Sequence, residues 1–92
     1  MEISKIHKLF LNSSGITTDT RSIENKSIFF ALKGENFNGN KFASEALQKG
    51  ASFVIIDEKE FKIDERTLLV ENVLETLQAL ANFHRYFLNI PI

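Results

Sequence analysis

Two short apolar runs, Ser27-Ile28-Phe29-Phe30-Ala31-Leu32 and Ser52-Phe53-Val54-Ile55-Ile56-Asp57, constrain the fold more than any other feature of the sequence. Each is short, rich in β-branched and aromatic residues, and apolar at odd and even positions alike. That pattern reads as a strand buried on both faces. Between the runs, Phe42, Ala43, Ala46 and Leu47 fall on one helical face, and Gly50 stands where a helix would stop. Strand, loop, helix and strand in that order predict a βαβ unit with parallel strands and a right-handed crossover. Ile16-Thr17-Thr18 adds a short extended piece and Thr67-Leu68-Leu69-Val70 a further strand.

Two more helices complete the pattern. Ile3, Ile6 and Phe10 lie on one stripe with Leu9 beside it, and Asn12-Ser13-Ser14-Gly15 ends that segment. His7 is expected at the surface of this helix. The last helix carries Val73, Leu74, Leu77, Leu80, Ala81, His84, Phe87 and Leu88 on a broad stripe, where His84 is expected to be partly buried. The charged stretch 58–66 is expected to be exposed. The fold class expected is α/β, a small mostly parallel sheet with flanking helices.

Composition narrows the class further. Residues 1–92 suit one domain, and the apolar share of 43%, with nine Phe, suffices for one core. A formal charge of −1 offers no field for gathering nucleic acid or an anionic membrane. Without Cys there is neither a disulfide framework nor a thiolate metal site, which fits a reducing compartment. The start, Met1-Glu2-Ile3-Ser4-Lys5, has no signal-peptide pattern, and no apolar run approaches the roughly 20 residues of a membrane span. A cytoplasmic monomer is expected. Ile90-Pro91-Ile92 reads as the start of another strand, so the chain is expected to be the first part of a longer protein.

Two segments could carry chemistry. Residues 33–40, Lys-Gly-Glu-Asn-Phe-Asn-Gly-Asn, join a strand to a helix and so lie at the C-terminal edge of a parallel sheet, where α/β folds bind ligands. The helix behind them offers free N–H groups to a phosphate, Gly34 and Gly39 permit close backbone approach or positive φ, and Asn38 and Asn40 are each suited to N-capping. An ordinary capped βα connection explains the same residues equally well. In Asp19-Thr20-Arg21, the hydroxyl can donate to a phosphate or ribose oxygen and the guanidinium can pair bidentately with an anion. The simpler reading of that tripeptide is a turn capped by Asp19, with Arg21 paired to a nearby acid.

Other chemistry has no motif here. No Gly-x-x-x-x-Gly-Lys-Ser/Thr phosphate loop occurs, and the glycines of 34–39 do not form a dinucleotide fingerprint. With His7 and His84 as the two histidines and no His/Asp/Glu cluster at ligand spacing, no metal site is expected. No Gly-x-Ser-x-Gly supports a nucleophile. No catalytic residue is assigned.

Thr18-Asp19-Thr20-Arg21, the stretch from Ser27 to Ala43, Ala46-Leu47 and Gly50-Ala51 resemble, in that order, the N-terminal domain of Mur ligases. The family pattern is an Asp-Ser/Thr-Arg turn, a Phe-x-Ala-x-x-Gly strand end, an Asp-Gly-His loop and a Gly-Ala before the next strand. Ala31 to Phe37 looks most like the branch that adds D-alanyl-D-alanine; the branch that adds diaminopimelate or lysine is the close alternative, and a non-catalytic interaction domain is the alternative of another class. The resemblance implies that this domain holds the UDP part of a UDP-N-acetylmuramoyl-peptide. ATP and magnesium would bind a central domain of the full-length enzyme, and a C-terminal domain would bind the incoming amine. It implies a substrate-binding set of Thr18, Thr20, Arg21, Lys33, Gly34, Glu35, Asn36, Phe37 and Asn40. Thr20 stands where a hydroxyl reaches the diphosphate, Thr18 where backbone meets the uridine, and Glu35, Asn36 and Phe37 where backbone lies against the pyrophosphate. Asn38-Gly39-Asn40 departs from the family's Asp-Gly-His, which removes any role that depends on the imidazole.

Overall fold

The computed structural model describes residues 2–89. Helix α1 (Ile3–Leu11) leads through a turn into β1 (Ile16–Thr17). Strand β2 (Ile28–Phe30) follows, then a small hairpin of β3 (Lys33–Gly34) and β4 (Phe37–Asn38). After these come α2 (Ala43–Gln48), β5 (Phe53–Ile56), β6 (Thr67–Leu69) and α3 (Val73–Leu88). The sheet has the order β1-β2-β5-β6 with every pairing parallel, as the strand-helix-strand pattern predicts. The sequence turn of Ile90-Pro91-Ile92 toward another strand lies outside the described residues.

The apolar runs explain the layering. Ile28 and Phe30 of β2 point to one face, Phe29 and the following Ala31 to the other, and all four are buried. The first face packs with Ile55 and Leu68 against Ile6 of α1 and Val73 and Leu80 of α3. The second packs with Val54 and Ile56 against Ala43 and Ala46 of α2. Small side chains on α2 bring that helix close to the sheet, and its end is a Schellman motif. There Gly50 N–H donates to Leu47 O at 3.2 Å and Ala51 N–H to Ala46 O at 3.0 Å. Gly50 has φ +113°, which an L side chain rarely adopts, so the stop predicted at this glycine is real.

Several sequence expectations need correcting. His7 is buried, not at the surface, because it stands four residues after Ile3 and three before Phe10, in the middle of the stripe that faces α3. On α3 the buried seam is narrower than the apolar stripe: Val73 and Leu80 are covered and Leu77 and His84 half-buried, while Leu74, Ala81, Phe87 and Leu88 are exposed. Residues at heptad spacing reach the sheet and α1, and those one position aside do not. The 58–66 stretch is mostly exposed, but Phe61 tucks under a 3-10 turn against the α2 face. The 33–40 segment is not a simple loop into a helix, since the β3–β4 hairpin and a 3-10 turn (Gly39–Phe42) precede α2. Asn38 is the cap there, accepting from Asn40 N–H at 3.0 Å; Asn40 is not a cap.

Candidate functional site

Because all four strands run parallel, the ends of β1, β2 and β5 converge on one edge, and both sequence candidates lie there. Beyond β1 the chain makes a tight turn fixed by local hydrogen bonds. Thr17 Oγ1 accepts from Asp19 N–H at 3.1 Å, and Asp19 Oδ1 accepts from Arg21 N–H at 2.9 Å, capping a 3-10 turn over Thr20–Ser22. The guanidinium of Arg21 folds back on the same carboxylate, Nη2 to Oδ2 at 2.8 Å. Hydrogen bonds from the Arg21 side chain and then from its backbone N–H hold Asp19 down to a pKa of about 2. The turn is thus close to neutral, and its structure matches the capping reading of the tripeptide. It is nonetheless open: the Thr18 side is exposed, and the guanidinium faces solvent with its side chain 86% exposed.

The turn forms one wall of a cavity of about 430 Å³ lined by Thr18, Asp19, Thr20, Arg21, Phe29, Phe37 and Phe42. Across from it, Phe37 of the hairpin and Phe42 stack with ring centroids 5.7 Å apart and an interplanar angle of 19°. Phe37 stays about half exposed because one of its faces has no partner in the core. Hydroxyls and a guanidinium opposite an aromatic surface form a site suited to a ligand that is polar at one end and flat at the other.

Four of the nine residues of the implied binding set, Thr18, Thr20, Arg21 and Phe37, meet at this cavity. Lys33, Gly34, Glu35 and Asn36 lie exposed on the hairpin outside it, and Asn40, fully buried, is not part of its lining either. Asn40 uses its whole hydrogen-bonding capacity. Its Nδ2 donates to Asn38 Oδ1 and to Asp57 Oδ1, both at 2.9 Å, while its Oδ1 accepts from Asp57 N–H at 3.0 Å and Glu58 N–H at 3.3 Å. Asn38 Nδ2 donates to Glu58 Oε1 at 2.8 Å, and Lys33 Nζ lies 3.2 Å from both Asp57 and Glu58. The hairpin is therefore fastened to the end of β5.

Asp57 is the centre of this fastening. Its side chain is 6% exposed, and its Oδ2 accepts from Val73 N–H at 3.0 Å, joining the hairpin to the first turn of α3. Burial pushes its pKa up, but the N–H of Val73, the amide of Asn40 and the ammonium of Lys33 together outweigh that and leave it lowered. Hydrogen bonds from Asn38 and then Lys33 likewise lower Glu58, and Glu58 and then Asp57 raise Lys33. Gly39 belongs to the same device. Its N–H donates to Leu32 O at 2.7 Å, and a Cβ there would sit 2.7 Å from that oxygen. The close approach is to the protein's own strand. Gly34 has open space around it and no positive φ.

Sequence reading singled out neither Phe42 nor Phe29 as a wall of the site. Both had been counted as core, which is half true: Phe29 is buried in the α2 face and Phe42 packs partly against it. A pair of Phe flanking Asn38-Gly39-Asn40 was the available signal.

The parallel sheet with a cavity at this edge defines a small α/β domain, and comparison with known proteins identifies its family. Residues 12–85 match the family described as Mur ligase family, catalytic domain, and the chain belongs to the Mur ligase family. It is 36% identical over 74 residues to the UDP-N-acetylmuramoyl-L-alanyl-D-glutamate--2,6-diaminopimelate ligase of Rickettsia typhi, covering 78% of this chain and 15% of that protein. It is 38% identical over 81 residues to the UDP-N-acetylmuramoyl-tripeptide--D-alanyl-D-alanine ligase of Synechocystis, covering 86% of this chain and 18% of that one. Among solved structures, the MurF ligase of Thermotoga maritima in complex with ADP superposes with a TM-score of 0.70 at 31% identity, covering 79% of this chain and 17% of that chain. The chain thus spans less than a fifth of the length of these relatives.

Proposed function

We propose that this chain is the nucleotide-sugar-docking domain of a peptidoglycan-precursor ligase of the cytoplasm, holding the UDP part of UDP-N-acetylmuramoyl-tripeptide for ATP-dependent addition of D-alanyl-D-alanine. The observation that carries the reading is the cavity at the C-terminal sheet edge, where Thr18, Thr20 and Arg21 face the Phe37–Phe42 stack in a Mur-family chain. The hydroxyl of Thr20 and the outward N–H groups of Arg21 supply donors for the diphosphate, and the aromatic wall supplies a surface for the rest. Lys33, Gly34, Glu35 and Asn36 act through the position of the hairpin, and Asn40 holds that hairpin down from beneath. Among the described residues no group of three or more His, Asp or Glu converges to hold a metal ion, and no helix is long and apolar enough to cross a membrane. In this reading ATP and magnesium bind the central domain of the full-length enzyme, and no step of the reaction is placed on this chain. Its partners are the UDP-muramoyl peptide and its own central and C-terminal domains, in a monomer.

Addition of diaminopimelate is the second reading. It is favoured by the Rickettsia relatives, which match this chain about as well as the D-alanyl-D-alanine ligases do. Amine specificity tested in the full-length enzyme separates the two. Docking itself is tested there by Thr20→Ala, which should raise KM for the nucleotide substrate about ten- to hundred-fold, the worth of one hydrogen bond to a charged group, with kcat little changed. An unchanged KM with a hundred-fold fall in kcat, on the order of 3 kcal/mol in the barrier, would place Thr20 in the chemical step and overturn the assignment.

A further inference from the structure

The α1–α3 seam contains a part-buried polar contact between two imidazoles. His7 Nε2 lies 3.0 Å from His84 Nδ1, and His7 is 3% exposed. Phe83 and Phe87 stand against the His7 ring at 4.9 Å, Phe10 lies at 6.0 Å, and Phe10 meets the His84 ring edge-on at 5.0 Å. We propose that the His7–His84 pair is an acid-sensitive latch between α1 and α3: at neutral pH the rings share one N–H···N hydrogen bond, and full protonation of the pair breaks it and releases α1 from the sheet.

The proton count drives the argument. A hydrogen bond between two imidazoles needs one ring to donate and the other to accept, which a neutral pair achieves by choice of tautomer. One added proton preserves the bond but sets a positive charge inside an aromatic enclosure. A second proton puts N–H groups on both facing nitrogens, so the bond is lost and two cations confront each other. Among the described residues no anion hydrogen-bonds either ring. Glu2, Lys5 and Lys8 from the α1 segment and Arg85 and Tyr86 from α3 are exposed, and none hydrogen-bonds either ring. Glu75 lies in the first turn of α3, about 13 Å along the helix from His84. From the sheet, β2 presents Ile28 and Phe30 to this face.

The geometry agrees with the electrostatics. Burial, and then the charge of His84, hold His7 below the ordinary imidazole range. A base whose folded pKa is depressed is bound to fewer protons in the native state than in the unfolded one. Its contribution to stability is therefore full above the unfolded value of about 6.5 and is lost as pH falls through and below it. Release of α1 has a direct route to the sheet edge. The helix passes through one turn into β1, whose pairing with β2 covers only Ile16 and Thr17 and whose end carries Thr18 and Thr20. The latch does not depend on what the cavity binds.

Hydrogen exchange on the 92-residue chain, read by NMR from about pH 8 to about pH 5 and corrected for intrinsic rates, tests it. Amides of α1 should lose protection by about tenfold per pH unit below about pH 6, while those of β5 hold theirs. His7→Phe, which fills the aromatic enclosure without a titrating group, should make α1 protection independent of pH in that range. Should that variant fail to fold, His84→Asn serves: an amide oxygen accepts from His7 whether the imidazole is neutral or charged, so the acid response should shrink to the part that burial of His7 alone leaves. An acid response undiminished in His84→Asn, α1 protection as constant as that of β5 in the wild type, or two imidazoles titrating independently of each other would overturn the latch.

Discussion

The turn after β1 and the hairpin after β2 sit side by side at the same sheet edge, yet their polar groups are spent differently. The hairpin directs its Asn, Lys and Gly inward or down, onto Asp57, Glu58 and the backbone of Leu32, until Asn40 has no hydrogen-bonding capacity left. The turn satisfies itself with Asp19 and leaves hydroxyls and a guanidinium facing a cavity. Polar residues of similar kind thus build a support in one region and the wall of an open cavity in the other. What separates them is whether a neighbouring strand end is near enough to take up their donors.

The sharpest way to break this contrast is to remove the support. Asn40→Leu leaves a buried carboxylate and two buried N–H groups without their partner, and should destabilise the fold by about 3 kcal/mol in denaturant titrations. Thr20→Ala, on the turn, should change stability by less than about 0.5 kcal/mol in the same assay. Equal losses from the two variants would mean that the turn is structural too.

The two glycines of the hairpin make a second, smaller contrast. Gly39→Ala places a Cβ against Leu32 O and should cost about 1–3 kcal/mol by forcing the backbone apart. Gly34→Ala meets open space and should stay within about 0.5 kcal/mol, so any harm it does must come through a bound ligand. Thermal unfolding of both proteins checks the pair.

The smallest effect expected is a pH dependence centred on Asp57. Its folded pKa is lowered, so its contribution is present above the unfolded value of about 3.9 and disappears as pH falls through the folded one. Wild type should therefore lose more stability than Asp57→Asn as pH falls from about 5 to about 3. Identical acid slopes would remove Asp57 from its place at the centre of the network.

Legibility in the sequence followed the same division. The parallel sheet was readable because Ser27–Leu32 and Ser52–Asp57 are apolar at consecutive positions, a pattern that only two-sided burial explains. The stop at Gly50 was readable because a local backbone requirement selects glycine. The hairpin was not, since two-residue strands carry too little periodicity to register, and the burial of Asn40 depends on Asp57, which lies far along the chain. His7 was misplaced for a similar reason: its polarity suggested solvent, while its partner arrives from α3.

The central claim is that the cavity between the Thr18–Arg21 turn and the Phe37–Phe42 stack docks a uridine diphosphate. Titrating UDP into the labelled 92-residue chain and following amide and aromatic NMR shifts tests it most directly. Part of a full enzyme's contacts would be missing, so a dissociation constant around the millimolar range, on the order of −4 kcal/mol, is expected. The shifts should concentrate at Thr18, Thr20, Arg21, Phe37 and Phe42, and Thr20→Ala should weaken them about tenfold or more. Saturable shifts confined to the 58–66 stretch, or no response at concentrations well above the millimolar range, would contradict the claim.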